Sequence, residues 1–157
     1  MPNDQPVAHV AGKTSKTGGP SMDEMTADAE VALSKIKNTY ETVVQAELCK
    51  INEAIFLATR TPSSATDALK EIFSISHNIK GQAGSLGYPL LTAIAQSLCR
   101  FISTSEPAAL KGLDVVGAHT RAMETVIAHS IRGDGLTKGK KLLEVLDATV
   151  EQALARE

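Results

Sequence analysis

Apolar residues recur at spacings of three and four along almost the whole chain after residue 20, and no stretch alternates strictly enough to suggest a strand of any length. This spacing places apolar side chains on one face of an α-helix, whereas strict alternation is typical of a half-buried strand. Only 3% of the residues are aromatic. Ala, Leu, Ile and Val carry the apolar content, which favours helices over a β-sandwich. The sequence therefore predicts an all-α fold.

Caps, prolines and glycines divide this pattern into five helices. The motif Ser21-Met-Asp-Glu24 matches a capping box, in which two side chains satisfy the first backbone amides of a helix. Proline near a first turn and glycine near a last turn mark the later boundaries. The first two predicted helices run from residue 21 to about 60 and from residue 62 to an end between 84 and 87. The third begins at 89 and ends before the break at 105–107. The fourth follows that break and ends before the turn at 133–135, and the last covers about 138 to 155.

The length of 157 residues fits a single domain with a proper core. Residues 1–20 are rich in Pro, Gly, Lys and Thr without periodicity, so we expect a disordered tail there and one helical domain over residues 21–157. Because the connections are short, successive helices should pack antiparallel. The prediction is an up-and-down four-helix bundle with an additional terminal helix alongside.

Charge and composition exclude several classes of protein. A net charge of −2 and a pI near 6.1 argue against a nucleic-acid or membrane-surface binder. No apolar run approaches the roughly 18 residues of a membrane span, and the N-terminus lacks the apolar core of a signal peptide. Cys49 and Cys99 lie within apolar helical patterns without a CxxC spacing. We expect free core thiols and a cytoplasmic protein, with a disulfide between the two cysteines as the alternative.

The segment from His77 to Gly87 (HNIKGQAGSLG) carries the most specific chemical signal. Glycine weakens a helix interior by about 1 kcal/mol relative to alanine, so glycines beside a histidine indicate that something approaches closely. At about 100° per residue, His77 lies about 130° from the centre of the apolar stripe of its helix and should face solvent. That stripe consists of Leu69, Ile72, Ser76, Ile79, Ala83 and Leu86.

This arrangement suits phosphoryl transfer through the imidazole. An exposed imidazole is largely neutral at pH 7, so a ring nitrogen is available as a nucleophile. Lys80 lies one turn further on, where its ammonium can reach the histidine and balance the charge of phosphoryl oxygens. Gly81 and Gly84 lie on the same flank and leave room for a partner's active site.

At these residues the chain resembles the histidine-containing phosphotransfer (HPt) domain family. The family motif can be written HxxKGxxxxxG, and His77, Lys80, Gly81 and Gly87 match it in register. The resemblance is strong over residues 64–103 and weaker across the remaining helices. It implies a four-helix bundle whose histidine receives a phosphoryl group from an aspartate of one receiver domain and passes it to another.

The resemblance also implies the partners. Response-regulator receiver domains, and a hybrid sensor kinase, would dock on the exposed flank formed by Lys70, Ser74, Asn78, Gly81, Gly84 and Ser85. The chain would have no cofactor of its own, since Mg²⁺ in such exchanges belongs to the receiver, and no kinase activity. Tyr88 is bulkier than the small residue often found after the last glycine, and we expect it to alter partner choice.

Other interpretations compete with this one. His77 could be an ordinary surface histidine, with Gly84 and Gly87 serving only as helix caps. A non-catalytic helical adaptor or kinase-regulating bundle would keep the fold without using the histidine. The phosphoacceptor domain of a histidine kinase usually has an acidic residue after its histidine, where this chain has Asn78. His119 and His129 do not form an i, i+4 metal pair, and we expect ordinary surface or boundary histidines.

Overall fold

A computed structural model describes residues 18–156 of the chain. Within this range the protein is helical and contains no strand, which confirms the predicted all-α class. Two single 3₁₀ turns, Pro62–Ser64 and Gly84–Leu86, connect some of the helices. The α-helices of the described residues are α1 (Met22–Arg60), α2 (Ala65–Ala83), α3 (Pro89–Thr104), α4 (Glu106–Lys111), α5 (Leu113–Ala128) and α6 (Leu136–Ala155).

The predicted signals set most of these boundaries. At the start of α1 the backbone amide of Glu24 donates to Ser21 Oγ (3.2 Å), and the amide of Ser21 donates to Glu24 Oε2 (2.9 Å). The capping box is therefore formed. Gly87 ends the second helical segment with φ +88°, a left-handed conformation that glycine adopts without strain. Pro89 occupies the first turn of α3.

The predicted fourth helix is wrong in one respect, because it is two helices. Ser105 caps the short α4 by accepting a hydrogen bond from the amide of Ala108, and Gly112 then separates α4 from α5. A Cβ at position 112 would lie 2.9 Å from both the Ala108 carbonyl oxygen and Phe101 Cζ. A side chain at this break would therefore clash both with the backbone of α4 and with the Phe101 ring of α3, and the spacing of apolar residues did not reveal the break.

The described residues fall into two compact units, one ending at Ile36 and the other beginning at Lys37 within α1. Every described residue of the first unit is exposed. The helical spacing of the first helix predicts that one apolar face, formed by Leu33, Ile36, Tyr40, Val43, Val44, Leu48, Ile51 and Ile55, turns inward. Leu33, Ile36 and Val43 are instead 44%, 54% and 50% exposed. That part of the prediction is wrong. Residues 1–17 lie outside the described residues, so the predicted tail and the domain limits of 21–157 stay predictions.

The second unit holds the buried apolar core. Side chains from α1 onward contribute to it, and α3 packs against α2, α5 and α6. The buried part of α1 begins at Tyr40 and continues through Val44, Leu48 and Ile51, as the helical spacing predicts. Burying a side chain of this size stabilises the fold by about 1.5–3 kcal/mol, so these residues hold this part of α1 in the core.

Two expectations about single side chains need correction. His119 is fully buried, where its Nδ1–H donates to the Val115 carbonyl (2.8 Å) and Nε2 lies 3.1 Å from Ser97 Oγ. Burial of the imidazole is possible because both of its ring nitrogens have hydrogen-bond partners. The spacing of the residues in the sequence did not indicate these partners. Both cysteines are free, but Cys49 is exposed and only Cys99 is buried. His129 is exposed, as expected.

Candidate functional site

Helix α2 presents one face to the core and the opposite face to solvent. The predicted inward residues Leu69, Ile72 and Ile79 are at most 3% exposed, and Ser76 and Ala83 are fully buried. Leu86, just beyond the helix, is half-buried. His77 is exposed, as its angular separation from this stripe predicts. The core therefore holds the helix in a rotation that keeps the imidazole in solvent.

Among the described residues, one aromatic ring stacks on that of His77. The Phe73 ring, one turn earlier on α2, stacks against the imidazole with centroids 5.9 Å apart and planes 17° from parallel. Within residues 18–156 neither ring nitrogen of His77 has a hydrogen-bond partner, so both nitrogens are available to an incoming group. The sequence interpretation missed Phe73. An aromatic residue four positions before an exposed histidine was the available signal.

Lys80 is half-buried on the side of α2 that faces α3. Its carbonyl oxygen lies 3.5 Å from Thr92 Oγ1, which donates to it. Burial raises the pKa of the Cys99 thiol, and the Lys80 ammonium acts in the opposite direction by favouring the thiolate. Among the described residues Lys80 forms no ion pair, so no carboxylate neutralises its charge. The predicted contact between its ammonium and His77 does not appear as a hydrogen bond.

The three glycines between His77 and Gly87 have different surroundings. A Cβ built at Gly81 would meet no atom within 4 Å, and one at Gly84 would touch only Thr92 Oγ1 at 3.4 Å. Gly87 is required by its left-handed backbone. Nothing within the described chain therefore explains a glycine at position 81, where alanine would fit and would stabilise the helix.

The remaining residues of the predicted docking flank are accessible. Lys70, Ser74 and Asn78 are exposed on α2, and Ser85 is exposed in the 3₁₀ turn, where its hydroxyl donates to the Gln82 carbonyl (2.9 Å). The Lys70 ammonium lies 3.8 Å from the Asp67 carboxylate. Because both side chains are largely exposed, this ion pair contributes little and leaves Lys70 free to turn toward a partner.

Tyr88 does not belong to the exposed flank, and its expected effect on partner choice stays a prediction. Its side chain is fully buried, and its hydroxyl donates a hydrogen bond to the carboxylate of Glu41 in α1. The centroids of the Tyr88 and Tyr40 rings are 6.3 Å apart. Arg132 covers the Tyr88 ring and lies 3.6 Å from Glu41. The large residue after Gly87 therefore fixes the start of α3 against α1.

The described residues contain no group of three or more His, Cys, Asp or Glu side chains that could hold a metal ion. Of the helices formed by residues 18–156, none combines the length and apolarity that crossing a membrane requires.

A family model places the chain among known proteins. The model of the Hpt domain matches residues 23–156, so the chain belongs to the Hpt domain family. No curated protein and no solved structure matches it. Hpt domains serve histidine phosphotransfer in two-component signalling, act as carriers that generally lack kinase activity, and interact with receiver domains and kinases.

Proposed function

We propose that His77 accepts a phosphoryl group from the aspartyl phosphate of one receiver domain and passes it to an aspartate of another. The observation that carries this proposal is the exposed imidazole whose two ring nitrogens have no hydrogen-bond partner among the described residues. A nucleophile that must meet two partners in turn needs this accessibility, since a buried or hydrogen-bonded nitrogen would have to be released first.

The transfer needs little covalent chemistry from this chain. A ring nitrogen of His77 attacks the phosphorus in line, the N–P bond forms, and the aspartyl O–P bond breaks with its electron pair remaining on the carboxylate. The reverse sequence on a second receiver restores the free imidazole. Because the carboxylate and the imidazole exchange the same group, no oxidant, reductant or nucleotide is consumed.

Lys80 and Gly81 support this step in different ways. The Lys80 ammonium, which has no carboxylate partner among residues 18–156, would stabilise the negative charge of the phosphoryl oxygens. The open space at Gly81 would admit the loops of a receiver, with Lys70, Ser74, Asn78, Gly84 and Ser85 forming the rest of the docking flank. We propose that Mg²⁺ is held by the receiver and that this chain contributes no metal ligand.

We propose that the chain has no kinase activity of its own. Asn78 follows His77 where kinase phosphoacceptor domains usually carry an acidic residue, and Gly81 stands where such domains have a polar side chain. Phosphoryl groups would then come from a hybrid sensor kinase through its receiver domain. Such partners are expected in the cytoplasm, and the two free cysteines agree with a reducing compartment.

We also propose an architecture for the second unit. Helices α2, α3 and α5 and the part of α1 after Lys37 all bury apolar faces in one core, which supports an antiparallel up-and-down four-helix bundle. Helix α6 would pack alongside, because it contacts α3 and α5 and buries only a narrow face around Leu146 and Val150.

The nature of the phosphorylated product tests the assignment. Incubated with a phosphorylated receiver, the protein should acquire label that is lost in acid and kept in base, as phosphohistidine is. His77→Gln should abolish this label, while His129→Gln, which removes another exposed histidine, should leave it unchanged. Label on the His77→Gln variant would contradict the proposal. Label from ATP alone would favour the kinase phosphoacceptor instead.

A further inference from the structure

The contact between Phe73 and His77 is a feature of the site that the Hpt motif does not include. Phe73 is half-buried, packs against the core, and lines a groove between α2 and the α3–α4 region with Leu69 and Ile102. Its ring is therefore fixed by the body of the protein. The imidazole of His77, in contrast, is exposed and has no hydrogen bond within the described residues.

A surface histidine without other contacts samples several side-chain rotamers, and most of them direct its nitrogens differently. Aromatic pairs with centroids 4.5–7 Å apart attract each other beyond their apolar area, and the observed 5.9 Å lies in this range. Stacking on a fixed ring therefore selects one orientation of the imidazole. No hydrogen bond within residues 18–156 competes with this selection.

The geometry of the stack suits phosphoryl transfer. The lone pair of an imidazole nitrogen lies in the plane of the ring, so an in-line attack on phosphorus proceeds from the edge of the ring. With planes only 17° from parallel and centroids 5.9 Å apart, the Phe73 ring lies beside the imidazole in an offset stack, a contact that uses neither ring nitrogen. A hydrogen bond would also orient the ring, but it would occupy a nitrogen.

We propose that Phe73 is a positioning residue, whose ring holds the His77 imidazole in an orientation ready for attack. This inference rests on the proposed phosphotransfer function. Phe73 does not touch the phosphoryl group and acts through His77. Its loss should therefore reduce the rate of transfer within the docked complex and leave the affinity for the receiver nearly unchanged.

Two substitutions separate orientation from packing. Phe73→Leu keeps an apolar side chain against the core and removes the aromatic face, whereas Phe73→Tyr keeps the face. In single-turnover transfer from a phosphorylated receiver, Phe73→Leu should lower the saturating rate constant by roughly three- to tenfold, the value of an aromatic pair. The half-saturating receiver concentration should change less than about twofold, and Phe73→Tyr should restore the rate. Phe56→Leu, at an exposed aromatic residue on α1, is the matched control.

An NMR measurement tests the stack without any receiver. The ring protons of His77 should show a ring-current shift in the wild type that is lost in Phe73→Leu and kept in Phe73→Tyr. Absence of this shift from the wild-type protein would overturn the proposal even if Phe73→Leu fails to fold. An unchanged saturating rate in Phe73→Leu, or a change confined to the half-saturating concentration, would overturn it as well. If the wild type accepts no phosphoryl group, the phosphotransfer function itself fails.

Discussion

Gly81 lies one turn after His77 on an exposed helical surface, where a Cβ would meet no atom within 4 Å other than those of its chain neighbours and the backbone of its own helix. A glycine in a helix interior lowers stability by about 1 kcal/mol relative to alanine, and no intramolecular contact compensates for this loss. Selection for a partner's access explains the residue better than selection for the fold does. Stability and docking should therefore respond in opposite directions when position 81 is changed.

Gly81→Ala should raise the free energy of unfolding by about 1 kcal/mol, measured by urea denaturation. Gly81→Gln should raise the half-saturating receiver concentration by roughly tenfold, because its side chain occupies the space that the receiver enters. Ala46→Gln, which places the same side chain at an exposed position on α1, should leave the half-saturating receiver concentration unchanged. A Gly81→Gln variant that docks like the wild type would show that this clearance is not used.

The sequence alone could predict part of the site at this scale. Helical periodicity placed His77 in solvent because the core residues of α2 are close in sequence and regular in spacing. It could not show that Lys80 lies toward Cys99 and Thr92, since those residues belong to another helix. The burial of Tyr88 against Glu41 was out of reach for the same reason.

At the scale of helices, one buried histidine joins three elements. His119 of α5 lies beside Ser97 of α3, and the Ser97 hydroxyl donates to Asp147 of α6 (2.8 Å). Burial lowers the pKa of His119, although the Val115 carbonyl and Asp147 act in the opposite direction and Arg100 adds to the lowering. The folded state therefore holds His119 in its neutral form at pH values where the unfolded chain binds a proton.

This difference predicts a pH dependence of stability. Because the pKa of His119 is lower in the folded state, its contribution is fully present above the unfolded value of about 6.5 and is lost as pH falls below it. Urea unfolding from pH 7.5 to 5.5 should show a falling free energy of unfolding, and His119→Gln should flatten this slope. Parallel slopes for the two proteins would contradict the account. The comparison uses slopes because the substitution also changes absolute stability.

The helices themselves show where local patterns suffice. The boundaries of α1, α2 and α3 follow from caps, prolines and glycines close to each boundary in sequence, and they were predictable. The break between α4 and α5 was not predicted, because the close packing of the Ala108 carbonyl oxygen and of the Phe101 ring around Gly112 is visible only in the folded structure. Periodicity also overestimated burial at the start of α1, since an apolar stripe does not specify that anything covers it.

At the scale of the whole molecule, the candidate site residues and the core belong to the second unit, which begins at Lys37. Deleting residues 1–36 should therefore leave a folded protein that accepts phosphoryl groups within about twofold of the wild-type rate. Stability should fall by about 1 kcal/mol, because the capping box of α1 is removed with the segment. Circular dichroism and transfer assays check this directly, and a truncated protein that cannot fold would contradict it.

Relay between two receivers is the central claim, and a three-component transfer experiment tests it most directly. A labelled phosphoreceiver, freed of its kinase and of ATP, is mixed with this protein and a second, unlabelled receiver. We predict that label moves from the first receiver to His77 and then to the second receiver. The label summed over all three proteins should fall only by hydrolysis. Equal labelling of the second receiver when the protein is omitted, or when it carries His77→Gln, would contradict the account.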